Sequence, residues 1–138
     1  SSLPHPVLAP RSPVWLDRKE YPWLSHLHDT GVGSMAYVDA GERTSPALIF
    51  VHGTPSWSFE WRHQITAFAP THRVLAPDHL GFGLSDLPHD GSLAPQDHAH
   101  RFLAWLDALD VKDATLVVHD FGGPIGLLAA LERPERIS

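Results

Sequence analysis

An α/β architecture is the fold this sequence predicts: a β-hairpin followed by strand, helix, strand, helix, strand, helix, with a mostly parallel sheet. Three observations point to it. Residues 46–52 form a continuous apolar run of strand length, as suits a strand buried on both faces of a parallel sheet, and residues 72–77 and 115–119 read as two further short strands. A segment with apolar residues at helical spacing follows each run. Strands that alternate with helices in this way require right-handed crossovers, which put helices on the faces of the sheet.

The elements follow in order. Thirteen prolines occur in 138 residues. Proline fixes φ and removes a donor, so residues 1–13 read as an extended proline-rich arm and residues 14–138 as one core domain. Residues 15–23 are mixed and aromatic, a loop that packs onto the domain. Residues 24–28 and 34–39 flank Gly31 and Gly33 and read as a hairpin. After the run 46–52 comes a turn, Gly53-Thr54-Pro55-Ser56, and then Trp57, Trp61, Ile65 and Phe68 mark a helix over 58–69. The strand at 72–77 opens onto a glycine-punctuated loop, Asp78 to Asp86. Phe102, Trp105, Leu106 and Leu109 mark a helix over 96–109. The strand at 115–119 leads to a helix over 123–132, which Pro134 stops.

Composition narrows the function classes. The net charge is −6 and Lys plus Arg total 10, which argues against a nucleic-acid binder, since such a chain carries a basic face. There is no cysteine, so disulfides and thiolate metal sites are excluded and the cytoplasm is the default compartment. The longest apolar runs, 47–51 and 127–131, are too short to span a membrane, and residues 1–13 have no apolar core like that of a signal peptide. His26/His28 and His98/His100 have no carboxylates at ligand spacing, so they read as solvent-exposed, with no metal and no cofactor expected.

The chemistry concentrates at the end of the last strand, Leu116-Val117-Val118-His119-Asp120-Phe121-Gly122-Gly123. A strand that turns sharply into a helix holds the apex side chain in a strained, exposed position. Asp120 occupies that apex and is read as a carboxylate nucleophile that forms a covalent ester with its substrate. The bland alternative is an N-cap for the helix. Gly122 and Gly123 allow the helix to start close to the strand. Ligands of such sheets sit beyond the carboxyl ends of the strands, where His52-Gly53-Thr54, the 78–86 loop and Asp120-Phe121 all fall. His52 is read as a structural residue bonded within its turn. Asp78 and Asp86 are read as bracing their loop by local Asx-type bonds, with Ser85 likewise structural. Trp57 is core first and substrate-lining second.

His52-Gly53-Thr54-Pro55-Ser56-Trp57, Asp78-x-x-Gly81-x-Gly83-x-Ser85-Asp86 and Val118-His119-Asp120-Phe121-Gly122-Gly123 together resemble the α/β-hydrolase fold. The aspartate apex, with valine two residues before it, resembles the branch of haloalkane dehalogenases and epoxide hydrolases. The resemblance runs over residues 15–138 and covers the amino-terminal half of such an enzyme; the cap and the carboxyl-terminal strands are absent. It implies that Asp120 displaces a halide, or opens an epoxide, and that water activated by a histidine then hydrolyses the ester. It also implies an oxyanion or halide pocket built from the backbone N–H groups of Thr54 and Phe121, donors of a kind worth ~3 kcal/mol each.

Two departures weaken the halide side. Dehalogenases usually carry tryptophan after the nucleophile, and this chain has Phe121, which has no donor. Many carry asparagine or glutamate after the His-Gly pair, and this chain has Thr54. The implied substrate is a small, apolar halogenated molecule or an epoxide, with the haloalkane preferred. The family's catalytic histidine and supporting acid lie beyond the matched residues, so this chain alone is expected not to turn over. The last strand is expected to be an exposed sheet edge that recruits the remaining half of the chain, a companion fragment or a swapped homodimer. A non-catalytic fragment that binds a partner through that edge is the reading from a different class.

Overall fold

The computed structural model describes residue 13 and residues 15–138; the arm expected over residues 1–13 lies, except for Pro13, outside the described residues. The strands are β1 (His26–Asp29), β2 (Ser34–Ala40), β3 (Ala47–Val51), β4 (Arg73–Pro77) and β5 (Thr115–Val118). The helices are α1 (Arg62–Phe68), α2 (Pro95–Leu109) and α3 (Gly122–Glu132), and a 3₁₀ turn at Ser58–Trp61 precedes α1. The strands form one mixed sheet in the order β1-β2-β4-β3-β5. β3 runs parallel to β4 and to β5, while the hairpin adds β2 antiparallel to β4 and β1 antiparallel to β2.

Period-two alternation along these strands sorts side chains to the two faces. Met35, Tyr37, Ile49, Val51 and Leu75 face α2 and α3, where Phe102, Trp105, Leu106, Ile125 and Ala129 complete one core. Ala36, Val38, Phe50, Val74 and Ala76 face the other way, onto Ile65 of α1 and Tyr21. The sheet therefore lies between two helical layers, with both faces of β3 and β4 buried. That is why residues 47–51 and 74–77 are continuously apolar.

The aromatic loop at 15–23 packs as expected. Tyr21 is buried, its hydroxyl lies 2.6 Å from Ser58 Oγ, and its ring meets those of Trp23 at 5.1 Å and Trp57 at 5.0 Å. Burial drives the Tyr21 phenol far above its usual range.

Three expectations change. The first strand begins at His26 rather than residue 24, because Leu24 is exposed and the ladder starts at the His26–Tyr37 pair. The single helix over 58–69 is a 3₁₀ turn followed by a short α-helix. Here Asp78 Oδ1 draws in the Ser58 N–H at 2.6 Å, which tightens the first turn. The bracing of the 78–86 loop is long-range as well as internal. Asp78 also accepts the Leu84 N–H, Ser85 Oγ donates to Asp78 O and accepts from Ala36 N–H, and Asp86 accepts the Ser34 N–H. These bonds tie the loop to β2 and to the 3₁₀ turn.

β5 is an edge strand, bonded to β3 on one side. Ile137 bridges Ala114 in parallel just before β5. Val118, Leu127 and Leu131 are exposed apolar side chains, and a groove of about 280 Å³ runs between β5 and α3. Among the described residues no helix is long and apolar enough to cross a membrane.

Candidate active site

β3, β4 and β5 all point their carboxyl ends at one rim of the sheet, and three loops are stitched together there. Asp120 has φ of +51°, the left-handed region that a non-glycine residue avoids. Its surroundings over-determine that conformation. The His119 N–H reaches Val51 O at 3.2 Å, and the Gly122 and Gly123 N–H groups donate to His119 O and Asp120 O at 2.9 Å each. A Cβ on Gly122 would lie 2.6 Å from Val51 O, so only glycine lets α3 begin this close to β3. A Cβ on Gly53 would lie 2.9 Å from Asp120 Cβ. Gly123 differs from what was expected of it, since nothing lies within 4 Å of where its Cβ would be. The close helix–strand approach is instead completed by Gly126, where a Cβ would meet Val118 Cγ1 at 2.7 Å. Asp120 is not a cap: the N-cap of α3 is Phe121, which makes no side-chain capping bond.

Asp120 opens onto a cavity of about 360 Å³. Its walls join Thr54 from the β3 turn, Phe82 from the β4 loop, Leu93, Pro95 and His98 around the start of α2, and Phe121 beside the apex. The predicted residues Thr54, Asp120 and Phe121 are thus brought together. Trp57 is not among those walls. It stacks on Phe59 at 5.3 Å and meets Trp15 edge-on at 5.6 Å, within the aromatic cluster around Tyr21.

His52 is buried and structural in its bonding. Its Nδ1–H donates to Gly53 O at 2.8 Å, and its Nε2 accepts the His79 N–H at 3.0 Å. Both nitrogens are therefore committed, and burial pulls the imidazole down to about 4. The His79 ring lies against it, tilted by 49° with centroids 4.2 Å apart, and is also driven well down by burial, with its Nε2 buried and without a partner among the described residues. His98 stands 5.3 Å beyond His79 and meets the Phe121 ring edge-on at 5.9 Å. Contrary to the expectation of an exposed residue, His98 is buried; burial and then the Arg101 cation hold it down to about 4. His26 is half-buried against Tyr37, with ring centroids 5.2 Å apart. Among the described residues no group of three His, Asp or Glu side chains is placed to hold a metal.

Two positions that join the elements of the site were not visible in the sequence. Glu60 joins the β3 turn to the apex: Oε1 accepts the Gly53 N–H at 2.9 Å and Oε2 lies 3.0 Å from His119 Nδ1. Its place in the aromatic stretch reads as a solvated helix position, and no local signal separates the two cases. Arg101 bonds His98 Nδ1 at 3.1 Å; the i, i+3 spacing on α2 was the available signal.

Comparison with known proteins agrees with this geometry. The family described as alpha/beta hydrolase fold matches residues 46–138. A haloalkane dehalogenase of Mycolicibacterium paratuberculosis is 37% identical over 126 residues, covering 86% of this chain and 42% of the relative. A cis-3-alkyl-4-alkyloxetan-2-one decarboxylase of Shewanella oneidensis is 40% identical over 119 residues, covering 84% of this chain and 37% of that protein. The structure of a haloalkane dehalogenase from Paraglaciecola agarilytica superimposes with a TM-score of 0.79 at 32% identity, covering 86% of this chain and 42% of that one. The chain thus spans about two fifths of the length of the relatives it matches. A strained aspartate apex, a His-Gly turn packed against it and a family match over most of the sheet place this chain in the α/β-hydrolase fold family.

Proposed function

We propose that this chain carries the nucleophilic half of a haloalkane dehalogenase-like hydrolase, with Asp120 as nucleophile. The observation that carries the proposal is the exposed Asp120 carboxylate, held at φ +51° on the rim of an apolar-walled cavity it shares with Thr54 and Phe121. An Asp120 oxygen attacks the carbon that bears the halogen; the carbon–oxygen bond forms as the carbon–halogen bond breaks, and the electron pair leaves on the halide. The backbone N–H groups of Thr54 and Phe121 would face the departing anion, and the positive end of α3 adds to their pull. Hydrolysis of the ester needs a base. His52 has both nitrogens engaged and His98 cannot take a proton on the nitrogen that faces Arg101. In this reading the ester forms on Asp120, and neither His52 nor His98 activates the water that would release it.

A second reading is favoured by the 40% identity to the oxetan-2-one decarboxylase and by the missing donor at Phe121. Asp120 would attack the ring carbon of a β-lactone and expel the ring carboxylate. Loss of carbon dioxide with re-formation of the Asp120 carboxylate would then give an alkene. That sequence balances without water or a base.

The test is covalent labelling followed by intact mass. A primary bromoalkane is expected to add one alkyl group to the wild-type protein, on Asp120, with release of one equivalent of bromide, and Asp120→Asn is expected to add none. Labelling that persists in Asp120→Asn refutes the nucleophile. Release of carbon dioxide from a dialkyl β-lactone, without halide release from the bromoalkane, selects the second reading.

A further inference from the structure

The cavity beside Asp120 has few polar side chains. Of the described residues that line it, only Thr54, His98 and Asp120 carry one. Thr54 is exposed, and Asp120 as a carboxylate only accepts. His98 is different: it is 3% exposed, fixed on the first turns of α2, and wedged between the His79 and Phe121 rings.

Its tautomer follows from its partner. Arg101 Nη2 lies 3.1 Å from His98 Nδ1. A guanidinium only donates, so Nδ1 must accept and the ring proton must sit on Nε2. Arg101 is itself anchored, with Nη2 donating to Ser92 O at 2.9 Å and Nη1 to Ser92 Oγ at 3.1 Å. The clamp therefore does three things. It fixes the ring, it removes His98 as a base, and it sets a cation behind the Nε2–H of a ring that lines the cavity. Such a chain of donors, from a charged group through a neutral ring, polarises the terminal N–H and favours an anion in front of it.

We propose that His98 Nε2–H is the side-chain donor that receives the leaving anion when Asp120 attacks, a role Phe121 cannot fill, with Arg101 as the positioning residue behind it. The inference rests on the Asp120 reading above, and the ligand class it assigns is a small anion, halide or carboxylate, expelled from carbon. The covalent step is unchanged: the electron pair departs on the leaving group, which accepts the Nε2–H hydrogen bond, and no proton is transferred.

The test uses the intact protein and a series of primary chloro-, bromo- and iodoalkanes, with the rate of ester formation on Asp120 read by mass. A poorer leaving group needs the donor more. His98→Phe is expected to slow the chloroalkane by roughly tenfold to a hundredfold and the iodoalkane much less. His98→Gln, which restores an N–H, is expected to recover most of the loss. Equal loss across the series, or no rescue by glutamine, overturns the donor role and leaves Asp120 standing. Absence of ester in the wild type overturns the Asp120 reading instead. A second measurement covers both that case and a variant that fails to fold: in ¹⁵N-histidine-labelled wild type, sodium bromide is expected to shift the His98 Nε2–H resonance. No shift up to molar bromide overturns the proposal.

Discussion

Replacing Glu60 with alanine should loosen the joint between the two loops that build the site. Oε1 accepts the Gly53 N–H at 2.9 Å, and Oε2 meets His119 Nδ1 at 3.0 Å. The first bond has a charged acceptor and a donor on a buried residue, so its loss costs about 1.5–3 kcal/mol. The second adds about 0.5 kcal/mol or less, because the His119 side chain is 61% exposed and solvent screens the pair. The sum is about 2–3 kcal/mol. A chain of 138 residues has a melting entropy near 0.3 kcal/mol/K, so Tm should fall by about 7–10 °C. Glu60→Gln keeps an acceptor for Gly53 and should lose only about 1 kcal/mol. The assay is thermal melting of wild type, Glu60→Ala, Glu60→Gln and His119→Ala at neutral pH, with ester formation on Asp120 as the functional readout. Because the Gly53 N–H leads directly into Thr54, Glu60→Ala should slow ester formation even where the protein is fully folded. If Glu60→Ala melts within 2 °C of wild type, or if His119→Ala reproduces its whole effect, the joint described here is wrong.

Two further outcomes follow from the same geometry. Gly122→Ala should destabilise by about 2–3 kcal/mol or prevent folding, because its Cβ would sit 2.6 Å from Val51 O and 2.9 Å from His52 O, and backbone cannot give way cheaply. Gly123→Ala, with nothing within 4 Å, should be neutral or stabilising by up to about 1 kcal/mol, and urea melts of the pair compare them directly. Stability should also fall as pH drops from about 6.5 to about 4. His52 and His98 are each held down to about 4 and His79 well below its usual value, so the unfolded chain binds protons in that window that the folded chain does not. Asp78 acts in the opposite sense, since burial raises it to about 6 and the folded chain then takes up a proton earlier, but burial lowers His26 and His28 as well, so it is one group against five. Urea midpoints from pH 4 to 7 that stay flat, or that rise toward acid, would contradict the neutral histidine stack.

The α/β class, the identity of each strand from β2 onward and the Asp120 apex were all legible in the amino-acid order. Burial on both faces leaves a continuous apolar run, and a strand-to-helix reversal leaves glycines at fixed offsets. Both signals are local, carried within a dozen residues. The misplaced residues have a common cause. Ser58 reads as helix because its own neighbours favour one, yet Asp78, 20 residues away, draws its N–H into a tighter turn. Gly123 looks like the partner of Gly122, but contact with β5 falls one turn later, at Gly126, where the helix axis brings it against Val118. His98 sits beside exposed His100 on a polar-looking stretch, and only the packing of α2 against the β4 loop and Phe121 buries it.

What the sequence alone determined, then, is the set of strands and helices and the residue that stands at the apex, because those depend on burial period and backbone freedom. Only the tertiary structure decided which side chains meet that residue. Glu60 reaching His119, His79 reaching His52 and His98 reaching Phe121 each close a loop between separate elements. Such closures depend on how the loops at the rim and the start of α2 are packed together, and that packing is set by the sum of core contacts rather than by any stretch of the chain read by itself.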